Sequence, residues 1–174
     1  ISAIKLFKAF YPECNIEEIT LKRPKKSNLL PTVLSKEEVI DLLRYTKNLK
    51  HRAVLAMIYS AGLRISELLN LKLSAIDIDR RQIIVKNSKG RRDRNIILAK
   101  SFIPLMQNYL MSYEPKTYFV EGKPFQQYSA ESIRAFLHRS IKIARIKKIV
   151  MPNTLRRSYA TPFLENGMDR RYIQ

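Results

Sequence analysis

Cysteine occurs once in the 174 residues, histidine twice and glycine four times, and each scarcity narrows what the chain can be. A lone Cys14 can form no internal disulfide, which fits a reducing cytoplasm. No histidine lies near it in sequence, so it reads as a small hydrophobe and not as a nucleophile. His51 and His138 are too few and too scattered to make a metal site. No glycine-rich phosphate loop of the nucleotide-binding kind is present, so neither metal nor nucleotide cofactor is expected. Long apolar runs are missing too: residues 53–59 fall far short of the roughly 20 residues that cross a bilayer. Acidic residues are scarce, 15 against 33 lysines and arginines, for a net charge of +18. Such a surplus exceeds what solubility requires and favours a polyanionic partner, the alternative being a merely basic surface.

What is present supports a folded domain. A hydrophobic content of 45% over this length suffices for one core with a small appendage. The chain starts at Ile1, and Lys5 and Lys8 interleave with Ile4, Leu6, Phe7 and Phe10, the pattern of an amphipathic helix instead of a signal peptide. That helix closes at Tyr11-Pro12, and the expectation is a piece of a longer protein. Residues 21–32 hold Lys22, Arg23, Lys25 and Lys26 with Pro24 and Pro31, a composition suited to an extended basic linker along a phosphate backbone or to an ordinary solvated loop.

Ser35 followed by Glu38 predicts a capping box opening a helix with Val39, Leu42 and Leu43 on one face. A second helix is expected over 51–61, with Gly62 as a left-handed cap or tight turn. A third then carries Ile65, Leu68, Leu69 and Leu71. Residues 76–79 alternate with period two, while 83–85 and 95–98 are rich in β-branched side chains, so three short strands follow, the last two joined by a polar hairpin around Gly90. Helical spacing returns over 101–113, with Pro104 in the first turn. A long helix from about 129 bears Ile133, Phe136, Leu137, Ile141, Ile143 and Ala144, with Arg139, Lys142, Arg145, Lys147 and Lys148 toward its end. Pro152 precedes a last helix over 154–166, stopped by Gly167, and Asp169 starts another. The fold class is α+β: mainly helical, with a small three-stranded antiparallel sheet.

Phosphodiester chemistry places charge on non-bridging oxygens, and converging guanidinium groups stabilise it through bidentate, charge-assisted hydrogen bonds. Arg64 lies between Leu63 and Ile65 on an apolar helix, where its charge is costly unless paired or turned to a pocket, and Glu67 is its obvious buttress. A plain Arg64–Glu67 helix pair is the alternative. Arg156 has a similar setting at a helix start, where free N–H groups also favour an anion. Lys89, beside Gly90 in the hairpin, could protonate a leaving oxygen as a general acid or simply touch a phosphate. The candidate phosphate contacts are Lys22, Arg23, Lys25, Lys26, Lys86, Arg91, Arg92, Arg94, Lys142, Arg145 and Arg157.

Over residues 33–174 the chain resembles the tyrosine site-specific recombinases, or phage integrases, and among them the Xer-like and transposon integrases. Tyr59-Ser60-Ala61-Gly62-Leu63-Arg64-Ile65-Ser66-Glu67-Leu68 is similar to the family's first signature, with Arg64 as its first catalytic arginine. Ser88-Lys89-Gly90-Arg91-Arg92-Asp93-Arg94 resembles its lysine-bearing turn, and 152–167 its second signature, with Arg156 as the second catalytic arginine. The resemblance implies the DNA breaking-rejoining fold and site-specific recombination or integration, in which a tyrosine cleaves a strand and forms a 3′-phosphotyrosyl link. It also implies double-stranded DNA as partner, self-association on DNA as a tetramer, no metal or nucleotide, and a cytoplasmic, nucleoid-associated place in a bacterium. Residues 1–20 would end an N-terminal core-binding domain, with 33–174 as the catalytic domain.

The departures are specific. Asn153 stands where the family has a histidine assisting proton transfer, Arg157 where a second histidine follows the arginine, and Pro162 where a third is common. Each replacement is one base change from a histidine codon, a pattern of decay or of an altered copy. The family's Leu-Gly-His segment and its nucleophilic tyrosine fall after position 174, and neither Tyr159 nor Tyr172 matches that tyrosine. The expectation is therefore a DNA-binding fragment that does not cleave alone. A non-catalytic DNA-binding remnant is the alternative, and an interaction protein with an incidental basic face a third.

Overall fold

The computed structural model describes residues 7, 9–11, 32–86 and 93–165, the last six of them by backbone alone. The chain divides into two compact units, Ile1–Leu30 and Pro31–Gln174. In the first, the Tyr11 amide donates to the Phe7 carbonyl at 2.9 Å and the two rings lie 5.0 Å apart, a helical turn as the spacing predicts.

The second unit is organised around one helix. Helix α1 (Lys36–Tyr45) opens with the expected capping box: the Glu38 amide donates to Ser35 Oγ at 3.2 Å, and the Ser35 amide to Glu38 Oε2 at 2.8 Å. Helix α2 (Leu49–Ala61) starts two residues earlier than expected, because Asn48 caps it by accepting from the His51 amide at 3.0 Å. Ala53, Val54, Leu55, Ala56, Met57 and Ile58 are all buried, so α2 is apolar on every side and lies inside the domain. Helix α3 (Ile65–Leu69) follows after Gly62.

The three strands form an antiparallel sheet in the order β1 (Ile76–Asp77), β2 (Gln82–Val85) and β3 (Arg94–Ile97). Strand β1 is shorter than the alternation suggests, since Asp77 Oδ1 accepts the Arg80 amide at 2.8 Å and turns the chain. Ile83 and Val85 are buried while Ile84 between them is exposed, the period of a one-sided sheet. Helix α4 (Ile103–Tyr113) has Pro104 in its first turn, as expected.

Helix α5 (Ala130–Ile143) is capped by Ser129, which accepts from the Ser132 amide at 3.0 Å. It ends before the basic run: Arg145 takes the left-handed conformation at φ 55°, so Arg145, Lys147 and Lys148 follow the helix instead of lying on it. Lys148 instead ties this end to α1, donating to Glu38 Oε2 at 2.7 Å. Helix α6 (Pro152–Glu165) includes Pro152 in its first turn and packs along α2. Ser158, on the buried side of α6, accepts the Leu34 amide at 2.8 Å and donates to the Thr154 carbonyl, joining the domain's first residues to its last helix. Pro162 lies inside α6, where its missing N–H leaves the Ser158 carbonyl without its i+4 helical donor.

Candidate functional site

Gly62 ends α2 at φ 58°, a conformation that costs side-chain-bearing residues free energy. A Cβ there would stand 3.0 Å from Cδ1 of Tyr159, so the α6 tyrosine ring packs flush against the turn. The turn buries Leu63 and leaves Arg64 extended at the mouth of α3. Glu67, in the first turn of α3, reaches back to it. Glu67 Oε2 accepts the Arg64 amide at 2.8 Å and Oε1 accepts Arg64 Nη1 at 2.6 Å. The local helix pair and the buttress are thus one and the same arrangement.

Two further arginines reach that carboxylate from distant elements. In the sheet register Val85 faces Arg94 and Ile83 faces Ile96, so Arg94 shares the inward face with two buried side chains. Its Nη2 donates to Glu67 Oε2 at 2.8 Å. From α6, Arg156 Nη1 stands 3.7 Å from the same oxygen, too far for a hydrogen bond, and this nitrogen is buried without a hydrogen-bond partner. The Glu67 side chain is 7% exposed, against 20% for Arg94 and 25% for Arg156.

Burial alone would push the Glu67 carboxyl up, but the Arg64 amide and guanidinium, with the Arg94 charge, hold it below the usual carboxylate range. For Arg156, burial and then the charges of Arg64 and Arg94 weaken proton binding, and Glu67 opposes them. A guanidinium stays charged regardless, so three cations share one carboxylate and the surplus calls for an anion.

An open cleft of about 750 Å³ adjoins this cluster, lined by Arg64, Arg134, Asn153, Arg156 and Arg157 among others. Among the described residues its lining holds four arginines and no carboxylate. Arg156 is turned toward Glu67, and Arg157 beside it is exposed. Asn153 is exposed at the cleft and offers an amide, which cannot relay a proton as an imidazole does. Arg134, absent from the residues singled out in the sequence, comes from α5, held by Glu131 at 3.2 Å. Nothing local separates it from Arg139 or Lys142 on the same exposed faces.

Lys86 is exposed and lines a second cleft, of about 720 Å³, with Ser66, Glu67, Asn70 and Lys72. Lys142 is exposed in the last turn of α5 and Arg145 just past it, and neither lines the cleft beside the arginine cluster. Lys22, Arg23, Lys25, Lys26, Lys89, Arg91 and Arg92 lie outside the described residues, as do Cys14, Gly167 and Tyr172. Tyr159 is half-buried against Gly62, and burial pushes its phenol up, the setting of a packing residue. Among the described residues no group of three histidine, cysteine or carboxylate side chains is placed to hold a metal, and no helix is long and apolar enough to cross a membrane.

Three arginines from separate elements of a mainly helical domain gather about one carboxylate beside a small antiparallel sheet, an arrangement suited to holding an anion. The chain belongs to the phage integrase family, whose model matches residues 32–174. It is 33% identical to the tyrosine recombinase XerA of Pyrococcus furiosus over 180 aligned residues, covering 100% of this chain and 62% of that protein. To a tyrosine recombinase of Thermosipho africanus it is also 33% identical, over 88% of this chain and 55% of the relative. The chain thus spans little more than half the length of these relatives. A crystal structure of XerA recombinase superposes with a TM-score of 0.75 at 31% identity, covering 99% of this chain and 64% of that one. The Tn1549 transposon integrase, solved in complex with a circular intermediate DNA, shares the fold at a TM-score of 0.78 and 15% identity, over 98% of this chain and 66% of its own.

Proposed function

We propose that this chain binds duplex DNA through its backbone phosphates and presents Arg64 and Arg156 to the phosphodiester that a tyrosine recombinase cleaves and rejoins. The observation that carries this is the convergence of both arginines on buried Glu67, at the edge of a cleft whose described lining holds four arginines and no carboxylate. Fixed guanidinium groups aimed at developing phosphate charge need no reorganisation during the reaction. Lys89 would be the acid for the leaving oxygen, and Asn153 would hold the substrate by hydrogen bonding. Self-association on paired DNA sites and a place at the bacterial nucleoid follow from the same function.

The test is fluorescence anisotropy of a labelled duplex across a salt series. The logarithm of affinity should fall linearly with the logarithm of salt, by about 0.9 for each phosphate engaged. Arg64→Ala with Arg156→Ala should flatten that slope by about two. Binding that is absent, or unchanged by salt, would overturn the function.

One observation favours a second function, DNA binding without cleavage: Asn153 fills the position of a proton-relaying histidine at the cleft. A nicked duplex that traps a phosphotyrosyl link separates the two. A covalent adduct from a longer form that carries the nucleophilic tyrosine supports cleavage, and reversible binding alone from that form supports occupancy of sites.

A further inference from the structure

Glu67 has two oxygens and three arginine suitors. Oε1 accepts Arg64 Nη1 at 2.6 Å, and Oε2 is the oxygen that Arg156 approaches. Oε2 already accepts the Arg64 amide, and Arg94 Nη2 takes its remaining capacity at 2.8 Å. Arg156 Nη1 is left at 3.7 Å with no hydrogen bond, although it is buried and the carboxylate is the nearest anion described. A buried guanidinium nitrogen without a partner is costly, and it would close on a vacant carboxylate oxygen.

We propose, resting on the function above, that Arg94 is a positioning residue: by occupying Glu67 Oε2 it keeps Arg156 unbonded and available to the substrate phosphate. This replaces the direct phosphate contact expected for Arg94 from the sequence. Its place is set by the β2–β3 register, which turns it inward with Val85. Without it, Arg156 would settle onto Glu67 as a satisfied ion pair and draw back from the cleft. The bare cluster therefore trades internal pairing for readiness to bind an anion.

A double-mutant cycle on the full 174-residue chain tests this, with duplex affinity and its salt slope as readouts. Arg94→Met keeps an apolar stem for packing and removes the donor. It should weaken binding about tenfold, the loss of one charge-assisted contact. Arg94→Lys, which can hold Oε2 as a point charge, should bind within about twofold of wild type. In an Arg156→Ala background, Arg94→Met should cost nothing more, because its effect runs through Arg156. If the two losses multiply instead, Arg94 touches phosphate itself and the inference fails; it fails equally if Arg94→Met binds as wild type. Should Arg94→Met not fold, Arg94→Gln decides: its neutral amide can still donate to Oε2, so the salt slope should hold, and a slope flattened by about one would put Arg94 on phosphate and overturn the inference. Absence of salt-dependent binding in wild type would instead sink the proposed function, so the two failures are distinguishable.

Discussion

Replacing Glu67 by Gln removes one negative charge from the midst of three guanidinium groups and changes little else in shape. The carboxylate accepts three hydrogen bonds, at 2.8, 2.6 and 2.8 Å, and its side chain is almost wholly enclosed. Breaking a buried charge cluster by removing one partner costs about 3–5 kcal/mol, and the partial exposure of the arginines puts this site at about 3 kcal/mol. For a domain of this size, that lowers Tm by roughly 6–12 °C. Circular dichroism melts read the shift directly. Added sulfate should recover part of it in E67Q, by standing in for the lost carboxylate.

The pH dependence has a definite sign. Because the folded carboxyl ionises below its unfolded value, its stabilisation is fully present above the ordinary carboxylate range and is lost as pH falls through the folded value. Wild type should therefore lose stability on acidification through this window more steeply than E67Q. An E67Q protein that melts within about 1 °C of wild type, with an unchanged acid limb, would show that the arginines do not depend on this carboxylate.

Other consequences can be checked on the same protein. Gly62→Ala should cost about 2 kcal/mol in urea unfolding, since the residue sits at φ 58° and a Cβ would meet the Tyr159 ring at 3.0 Å. Ser158→Ala should cost about 1–3 kcal/mol, because the buried Leu34 amide loses its acceptor; a change below about 0.5 kcal/mol would refute that link. Arg134→Ala should leave the melt unchanged, its pair with Glu131 being exposed, while flattening the DNA salt slope by about one. An unaltered slope would remove Arg134 from the DNA-contacting face.

Much of this domain is legible in short stretches of chain, because the interactions that form them are short. The Ser35–Glu38 box, the Gly62 turn and the Arg64–Glu67 pair each join residues within one helical turn, where side-chain type and spacing suffice. The apolar run of α2 reads as a buried helix for the same reason. Helix ends are less legible. Arg145 adopts a left-handed φ although it is not glycine, so nothing in its residue type announces that α5 stops at Ile143. Arg94 is an intermediate case: it looks like one more cation of a polar hairpin, yet Ile96 on β3 and Leu98 just past it step back to Arg94 by twos on the inward side. That period was a usable signal.

By itself the sequence determined which groups are available: a large surplus of cations, two arginines in signature contexts, one well-placed glutamate and the helices and strands that carry them. Only the tertiary structure decided which of those groups meet. Arg94 and Arg156 reach Glu67 through strand register and through the packing of α6 along α2, and Arg134 enters the cleft by the seating of α5. Local propensity cannot specify such meetings, because side chains far apart in sequence are brought within hydrogen-bond reach only when the core that joins their elements is buried.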